Sequence, residues 1–96
     1  MPMAATWYLY LIECKNGRLY TGITLDLAVR FDKHQRGKGA MFTRLNPVLR
    51  MIAAKSFDGR SDASKAEHQM KQLTTIQKRL TATGWPLQVG LPSIET

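Results

Sequence analysis

Residues 7–24 have the sequence WYLYLIECKNGRLYTGIT, and this stretch decides the fold. Its two halves are rich in aromatic and large aliphatic residues, a composition typical of β-strands. The dipeptide Asn16-Gly17 lies between them, and Asn-Gly is strongly associated with tight hairpin turns. We therefore predict an antiparallel hairpin with strands over residues 7–14 and 18–24.

The length of the hairpin loop determines which side chains share a face of the sheet, because side chains alternate along a strand. A two-residue loop would place Tyr10 and Tyr20 on opposite faces. A three-residue loop over residues 15–17, with a left-handed glycine in a bulge, would place both tyrosines on one face and Gly22 opposite Tyr10. In that second arrangement we expect Gly22 to leave open space beside Tyr10 for a phosphate.

A helix is predicted after the hairpin, over residues 25–36. Thr24 is its expected N-cap, and Leu27 and Phe31, four residues apart, are expected to form its buried stripe. Gly37 is expected to end the helix, since glycine is the residue most often found just beyond a helix C-terminus.

The second half of the chain contains one more strand pattern and two more helix patterns. Residues 37–47 are expected to form a glycine-punctuated basic loop, and residues 48–57 to form the third strand. Ser61 or Asp62 is expected to open the next helix. Thr75 is expected to cap a last short helix that contains Ile76 and Leu80.

The order of these elements, ββαβαα, predicts an α+β fold within the broad α/β class. Helices flank a small three-stranded, mainly antiparallel sheet in such a fold. With 96 residues the chain is expected to form one domain. We expect its core over residues 7–83 and an irregular tail over residues 85–96.

The charge of the chain is strongly positive. Lys and Arg number 14 against 7 Asp and Glu, and half of the cations lie between residues 30 and 55 with only one acidic residue among them. Such a field attracts DNA, RNA or an anionic membrane, whereas a solubility charge is the ordinary alternative. The candidate nucleic-acid-binding residues are Lys33, Arg36, Lys38, Arg44 and Lys71.

The single cysteine, Cys14, cannot form an intramolecular disulfide, which is expected of a protein from a reducing compartment. The apolar run over residues 7–12 is far shorter than the ~20 residues that span a bilayer. No charged segment precedes it as one would in a signal peptide. We therefore expect a cytoplasmic protein without a membrane partner.

Five side chains are candidates for chemistry. Tyr10 and Tyr20 lie in the two hairpin strands, while Arg30 and His34 lie one turn apart on the first helix and share a face. Glu67 lies on the later helix, four residues before a lysine. Each has an ordinary alternative: strand packing for the tyrosines, a solvated face for the helix pair, and a surface ion pair of about 0.2–0.5 kcal/mol for Glu67.

Taken together, residues 8–10 (YLY), residues 20–22 (YTG), Arg30 and a downstream Glu67 resemble the GIY-YIG nuclease family. More particularly, the chain resembles the small stand-alone YhbQ-like group of that family, over about residues 7–83. The stretches that carry this closer resemblance are LYTGIT, Arg30-x-x-x-His34, Gly37-Lys38-Gly39-Ala40 and Glu67-x-x-x-Lys71-x-Leu73.

The chain also departs from the family pattern. Its first motif is YLY rather than GIY, although the final tyrosine is kept. The position where many members carry an asparagine on the helix after the metal-binding glutamate falls near Arg79. Repair and homing members usually carry a second DNA-binding domain, which is not expected here. We therefore expect a protein partner that supplies specificity.

The resemblance implies a metal-dependent endonuclease that hydrolyses phosphodiester bonds in DNA, with structure-specific cutting in DNA repair or recombination. It implies one Mg²⁺ or Mn²⁺ held by Glu67, with Arg30 on the phosphate. Tyr10 would position water or phosphate. Tyr20 would act as general base or relay, and His34 could share that proton transfer near neutral pH. The choice between Tyr20 and His34 as base stays open.

Two other classes of function compete with a nuclease. One is a nucleic-acid-binding module with little or no catalytic activity, in which the tyrosines stack on bases. The other is a structural protein that docks on other proteins. The acidic Glu67 favours the nuclease over the binding module, because a carboxylate beside an anion gains nothing without a metal. DNA is favoured over RNA, and the oligomeric state stays open.

Overall fold

The computed structural model describes residues 5–94. Its strands are β1 (Trp7–Cys14), β2 (Leu19–Thr24) and β3 (Val48–Phe57), and its helices are α1 (Leu27–Gln35), α2 (Met41–Leu45), α3 (Arg60–Lys71) and α4 (Thr75–Ala82). The strand order is β2-β1-β3, and both strand pairs are antiparallel. The predicted fold class and the three-stranded sheet are therefore confirmed.

The hairpin between β1 and β2 has a three-residue loop. The Cys14 N–H donates to the Arg18 carbonyl at 2.9 Å, and the Gly17 N–H donates to the Cys14 carbonyl at 2.9 Å. Gly17 has φ 84°, in the left-handed region that only glycine adopts at little cost. The bulged alternative is confirmed over the two-residue loop.

This register brings the two tyrosines of the hairpin onto one face of the sheet. Tyr10 pairs with Gly22, and Tyr20 pairs with Ile12. The expectation of open space beside Gly22 was wrong, however. A Cβ atom built on Gly22 would overlap the phenol group of Tyr10, so the tyrosine itself fills that space.

Helix α1 begins two residues later than predicted. Asp26 is its N-cap, and the Asp26 carboxylate accepts a hydrogen bond from the Val29 N–H at 3.0 Å. Thr24 was predicted to cap the helix, but its hydroxyl accepts from the Asp26 N–H and forms the turn before it. Both are good capping residues, and the turn at Thr24 leaves the helix start to Asp26.

The C-terminal end of α1 has the predicted glycine. Gly37 has φ 72°, its N–H donates to the His34 carbonyl at 3.1 Å, and the Lys38 N–H donates to the Lys33 carbonyl at 2.8 Å. This pair of bonds is a Schellman motif.

The predicted loop over residues 37–47 contains the short helix α2, so the loop prediction was wrong there. The Ala40 carbonyl accepts from the N–H groups of Thr43 and Arg44, and the Asn46 side chain closes the other end on the Phe42 carbonyl at 2.8 Å. Five residues are too few for a periodic pattern to be recognised.

Helix α3 opens at Arg60, with Gly59 at the N-cap and φ 137° there. Ser61 and Asp62, the predicted opening residues, lie inside its first turn. The helix thus begins slightly earlier than the side-chain pattern indicated, directly after Gly59, whose backbone conformation only glycine adopts easily.

Helix α4 is capped by Thr74, one residue before the predicted Thr75. The Thr74 hydroxyl accepts from the Gln77 N–H at 3.2 Å, and the Gln77 side chain accepts from the Thr74 N–H at 3.0 Å, which is a capping box. Ile76 and Leu80 lie inside α4, as predicted, and their side chains are 72% and 68% exposed.

The sheet has an apolar layer on each face. The layer beneath α3 and α4 consists of Leu9, Leu11, Leu19, Ala53, Met70, Ala82 and Trp85. The layer on the α1 face consists of Tyr10, Ile12, Phe31, Val48, Met51 and Ala54. The two predicted stripe residues of α1, Leu27 and Phe31, both pack into this second layer.

The chain after α4 returns along the outer edge of β3. Leu87 and Ala54 exchange backbone hydrogen bonds at 2.9 and 3.2 Å, and the Met51 N–H donates to the Pro92 carbonyl at 2.9 Å. Leu87 also packs against the apolar layer on the α1 face. Across residues 5–94, none of the helices combines the length and apolar character needed to cross a membrane.

Candidate active site

A chain of hydrogen bonds connects β1, α1 and α2 inside the protein. The Tyr10 hydroxyl lies 2.8 Å from His34 Nε2, His34 Nδ1 lies 2.7 Å from Thr43 Oγ1, and the Thr43 hydroxyl lies 3.0 Å from the Ala40 carbonyl. Tyr10, His34 and Thr43 are 0%, 1% and 3% exposed. The candidate residues Tyr10 and His34 therefore meet directly, through a contact that sequence spacing alone does not indicate.

The direction of this chain follows from its last link. A carbonyl only accepts, so the single Thr43 proton goes to Ala40, and Thr43 Oγ1 must accept from His34 Nδ1–H. His34 Nε2 then carries no proton and accepts from the Tyr10 hydroxyl. The arrangement fixes both the tautomer of the imidazole and the orientation of the phenol.

Burial keeps both rings in their neutral forms. Burial, and then the positive charge of Arg30, lower the pKa of His34 to about 4. Burial also raises the pKa of Tyr10 well above its ordinary value, and this effect outweighs the opposing hydrogen bond with Arg30. At pH 7 the imidazole is therefore uncharged and the phenol keeps its proton.

Tyr20 lies beside this chain in a cluster of rings. Its ring centroid is 6.2 Å from that of Tyr10, 4.9 Å from that of His34 and 5.8 Å from that of Phe42 on α2. Tyr20 is half-buried, whereas Tyr10 is fully enclosed. Of the two tyrosines, Tyr20 is the one whose side chain reaches solvent.

Two glycines allow this close packing. A Cβ atom on Gly39 would overlap the His34 ring, and one on Gly22 would overlap the Tyr10 phenol. Gly39, in the segment Gly37-Lys38-Gly39, thus has a packing role against the imidazole.

Arg30 is held beside the two tyrosines. Its hydrogen bond with Tyr10 raises the pKa of the guanidinium, against the opposing effect of burial, and Tyr20 contributes in the same direction. The Nε atom of Arg30 is buried and has no hydrogen-bond partner among residues 5–94. An orphaned buried donor is costly, and a ligand oxygen would satisfy it.

Glu67 approaches from α3, which packs mainly on the other face of the sheet. Its negative charge contributes to the raised pKa of Tyr10, so the carboxylate lies within electrostatic reach of the phenol. Lys71 Nζ lies 3.4 Å from Glu67 Oε2, which confirms the surface i,i+4 pair. The Glu67 side chain is 22% exposed, and solvent can reach it.

The five candidate nucleic-acid-binding cations are all exposed. Four belong to α1 or to the segment between α1 and β3, and the fifth lies on α3. They are Lys33, Arg36, Lys38, Arg44 and Lys71.

Thr43 and Phe42 were not identified from the sequence. Both lie on α2, the helix that the pattern did not predict, and a threonine or phenylalanine in a basic loop has no distinguishing spacing. Arg79, near the position of the family asparagine, binds Glu13 at 2.9 Å and the Gly17 carbonyl at 3.1 Å. These two bonds hold α4 against the hairpin, and neither involves the tyrosine cluster.

The sequence profile of the GIY-YIG catalytic domain matches residues 6–79. The chain belongs to the GIY-YIG family. This is the nuclease family that the two tyrosines, Arg30 and Glu67 resembled in the sequence, and the resemblance is confirmed.

Several known proteins are similar to this chain over most of its length. A UPF0213 protein of Cupriavidus pinatubonensis is 47% identical over 78 residues, which are 81% of this chain and 87% of the relative. The UPF0213 protein YhbQ of Escherichia coli is 43% identical over 91 residues, which are 94% of this chain and 91% of YhbQ. The solution NMR structure of the protein EF2693 from E. faecalis has a TM-score of 0.56 and 36% identity, covering 86% of this chain and 90% of that one.

Proposed function

We propose that this chain is a metal-dependent endonuclease that hydrolyses phosphodiester bonds in DNA. Its setting would be the cytoplasm, in DNA repair or recombination, with a partner protein supplying specificity. The observation that carries the proposal is the Arg30 guanidinium, held beside two tyrosine hydroxyls with a buried Nε–H that lacks an acceptor. A phosphate oxygen is the acceptor that a planar guanidinium binds best.

In this proposal Arg30 holds the scissile phosphate and neutralises the charge that builds up on its oxygens during hydrolysis. Tyr10 positions Arg30. Because the Tyr10 proton is donated to His34, the phenol oxygen is left as an acceptor for the guanidinium. His34 in turn holds Tyr10 and stays neutral, since its pKa is lowered to about 4.

Tyr20 is the residue that we propose contacts the attacking water. Its side chain is half-buried and lies next to Arg30, whereas His34 is 1% exposed and its Nε2 atom is already engaged by Tyr10. Between the two candidates for general base or relay, this difference in access favours Tyr20. Positioned proton transfer typically contributes about 10²–10⁴-fold to the rate.

Mg²⁺ or Mn²⁺ is the proposed cofactor, with Glu67 as its protein ligand. Glu67 offers one partly exposed carboxylate, and no group of three His, Cys, Asp or Glu side chains converges within the described part of the chain. A single carboxylate completed by waters and substrate oxygens is a donor set that suits Mg²⁺ at phosphate sites. When bound, such an ion would supply Lewis acidity to a phosphoryl oxygen.

The test is a cleavage assay on labelled DNA and RNA, offered as duplex, nick, flap, junction and single strand with Mg²⁺ or Mn²⁺. We expect cleavage of at least one DNA structure, and a loss of at least about 100-fold in Glu67→Gln. Asp62→Asn is the matched control, because it removes an acid in the first turn of the same helix. Undiminished cleavage by Glu67→Gln would contradict the assignment, and cleavage of RNA alone would replace DNA as the substrate.

Binding without cleavage is a second candidate function, and one observation favours it. Tyr10 and His34 are enclosed in their neutral forms, so the proton chemistry depends on Tyr20 alone. In that case the protein would bind the same DNA panel at low salt, and neither metal ion nor Glu67→Gln would alter the length of the DNA.

A further inference from the structure

A cavity borders His34 and Thr43, on the far side of the imidazole from Tyr10. It has a volume of ≈ 390 Å³ and opens where the end of α1, helix α2 and the hairpin loop meet. We call it the basic groove. The lining residues that matter here are Lys15, His34, Arg36, Thr43, Arg44 and Pro47.

The walls of the basic groove are tied to one another. The Lys15 N–H donates to the Pro47 carbonyl at 2.8 Å, and the Asn16 side chain donates to the Asn46 side chain at 2.7 Å. These bonds join the hairpin loop to the turn between α2 and β3. The groove is therefore formed by the fold itself and does not require a ligand to assemble it.

The charge of the basic groove suits an anion. Lys15, Arg36 and Arg44 come from three separate segments of the chain, and no Asp or Glu within residues 5–94 lines the groove. Arg36 pairs with Asp32 through Nε at 3.0 Å, but both side chains are more than half exposed, so solvent screens that pair.

The groove also lies further along α1 than Arg30 does. Arg36 follows Arg30 by six residues on and just beyond α1, which places it roughly 9 Å further along the helix axis. Successive phosphates of one strand of B-DNA are spaced about 3.4 Å along the duplex axis, so with α1 aligned along that axis this offset corresponds to two or three nucleotides.

We propose that the basic groove is a second phosphate site, which holds a backbone phosphate two or three nucleotides away from the phosphate on Arg30, on the same strand. The proposal rests on the proposed function, because Arg30 must hold the scissile phosphate. It defines the substrate as a polynucleotide strand that continues past the cut on one side. A mononucleotide ester fills only one of the two sites.

The experiment measures binding of DNA oligonucleotides in which one phosphate at a time is an uncharged methylphosphonate. Metal ions are omitted so that no strand is cut. The proteins are the wild type, Arg30→Gln, and the double variant Lys15→Gln/Arg44→Gln. The matched control is Lys65→Gln, which removes one exposed positive charge on α3.

In the wild type we expect two positions at which methylphosphonate weakens binding, each by about fivefold. The position that ceases to matter in Arg30→Gln marks the scissile phosphate. The position that ceases to matter in the double variant should lie two or three nucleotides from it, and Lys65→Gln should keep both. The double variant should also reduce the slope of log affinity against log salt by about 1 per lost phosphate contact.

A uniform penalty at every position, or a double variant with an unchanged pattern, would overturn the second site and leave the proposed function standing. Absence of any binding would overturn both. Inorganic phosphate is titrated separately and followed by amide NMR. Shifts at Lys15 and Arg44 without a positional effect in DNA would identify a site for free anions and overturn the strand proposal.

Discussion

The Tyr10 hydroxyl donates to Nε2 of His34 across 2.8 Å, and this direction is set from outside the pair. Thr43 accepts from the opposite ring nitrogen, because the proton of Thr43 is used on a backbone carbonyl. A residue on a five-residue helix thus sets the orientation of the Tyr10 hydroxyl.

Replacement of Thr43 tests this relationship. Thr43→Val keeps the shape but leaves the buried Nδ1–H of His34 without an acceptor, which should lower the free energy of unfolding by about 1–3 kcal/mol. Thr43→Ser keeps the hydroxyl and should lose much less. Urea unfolding gives the stability, and nitrogen NMR of the imidazole gives the tautomer. A wild-type His34 protonated on Nε2 would refute the proposed direction.

The pH dependence of stability should carry the contribution of His34. Its pKa is about 4 in the folded protein against 6.5 ordinarily, so the unfolded chain binds more protons between these values. Stability should therefore fall as pH falls from 6.5 to about 4, by about 3 kcal/mol from this residue at 1.36 kcal/mol per pH unit. His34→Gln should lack this part of the profile. Parallel profiles for the two proteins, measured by urea unfolding, would contradict it.

Gly22 should be sensitive to the smallest substitution. In Gly22→Ala the new methyl group would overlap the Tyr10 phenol, which must then move off His34. We expect a loss of about 1–3 kcal/mol in unfolding free energy and a large loss of cleavage. Gly84→Ala is the control, since its nearest neighbouring atom is 3.8 Å away. Equal stability of the two variants would show that Tyr10 can relocate without cost.

Salt should weaken DNA binding steeply, because each neutralised phosphate releases counterions. Charge reversal of Lys38, which is exposed just after α1, should weaken binding to all DNA sequences alike. Fluorescence anisotropy between 50 and 200 mM salt measures the salt dependence and the effect of the charge reversal. We expect the wild-type affinity for DNA to fall by about tenfold or more over that range. An affinity that does not change with salt would exclude electrostatic binding.

Metal binding by the protein alone should be weak. A single carboxylate does not form a tight cage for Mg²⁺, which usually keeps several waters and uses substrate oxygens. Mg²⁺ alone should therefore raise the melting temperature little, and Mg²⁺ with uncleaved DNA should raise it more than DNA alone. A large increase with Mg²⁺ alone, retained in Glu67→Gln, would place the ion elsewhere.

The sequence was sufficient for the sheet because its patterns are local and long. The Asn-Gly loop lies directly between the strand patterns of β1 and β2, and the strand pattern of β3 is one continuous segment. Gly17 alone did not fix the register, since a left-handed glycine suits both the two-residue and the three-residue loop. The structure has the bulged loop, which brings Tyr10 and Tyr20 together.

What the sequence could not provide depends on contacts between distant segments. Thr43 is nine residues from His34 and has no periodic relation to it. The exposure of Ile76 and Leu80 depends on which face of α4 meets the sheet, and the ion pairs of Glu13 with Arg50 and Arg79 help to hold that helix in place. The residue spacing within α4 indicates neither the face of the helix that is exposed nor these ion pairs.

The segment that follows α4 has a consequence for solubility. β3 is a ten-residue edge strand of the sheet. The unpaired backbone groups of an uncovered edge strand of that length allow another chain to add a strand. Leu87 forms hydrogen bonds with the backbone groups of Ala54, and the Pro92 carbonyl accepts from the Met51 N–H. The segment after α4 therefore covers part of this edge. A protein shortened to end at α4 would expose these backbone groups of β3 and should aggregate when it is concentrated.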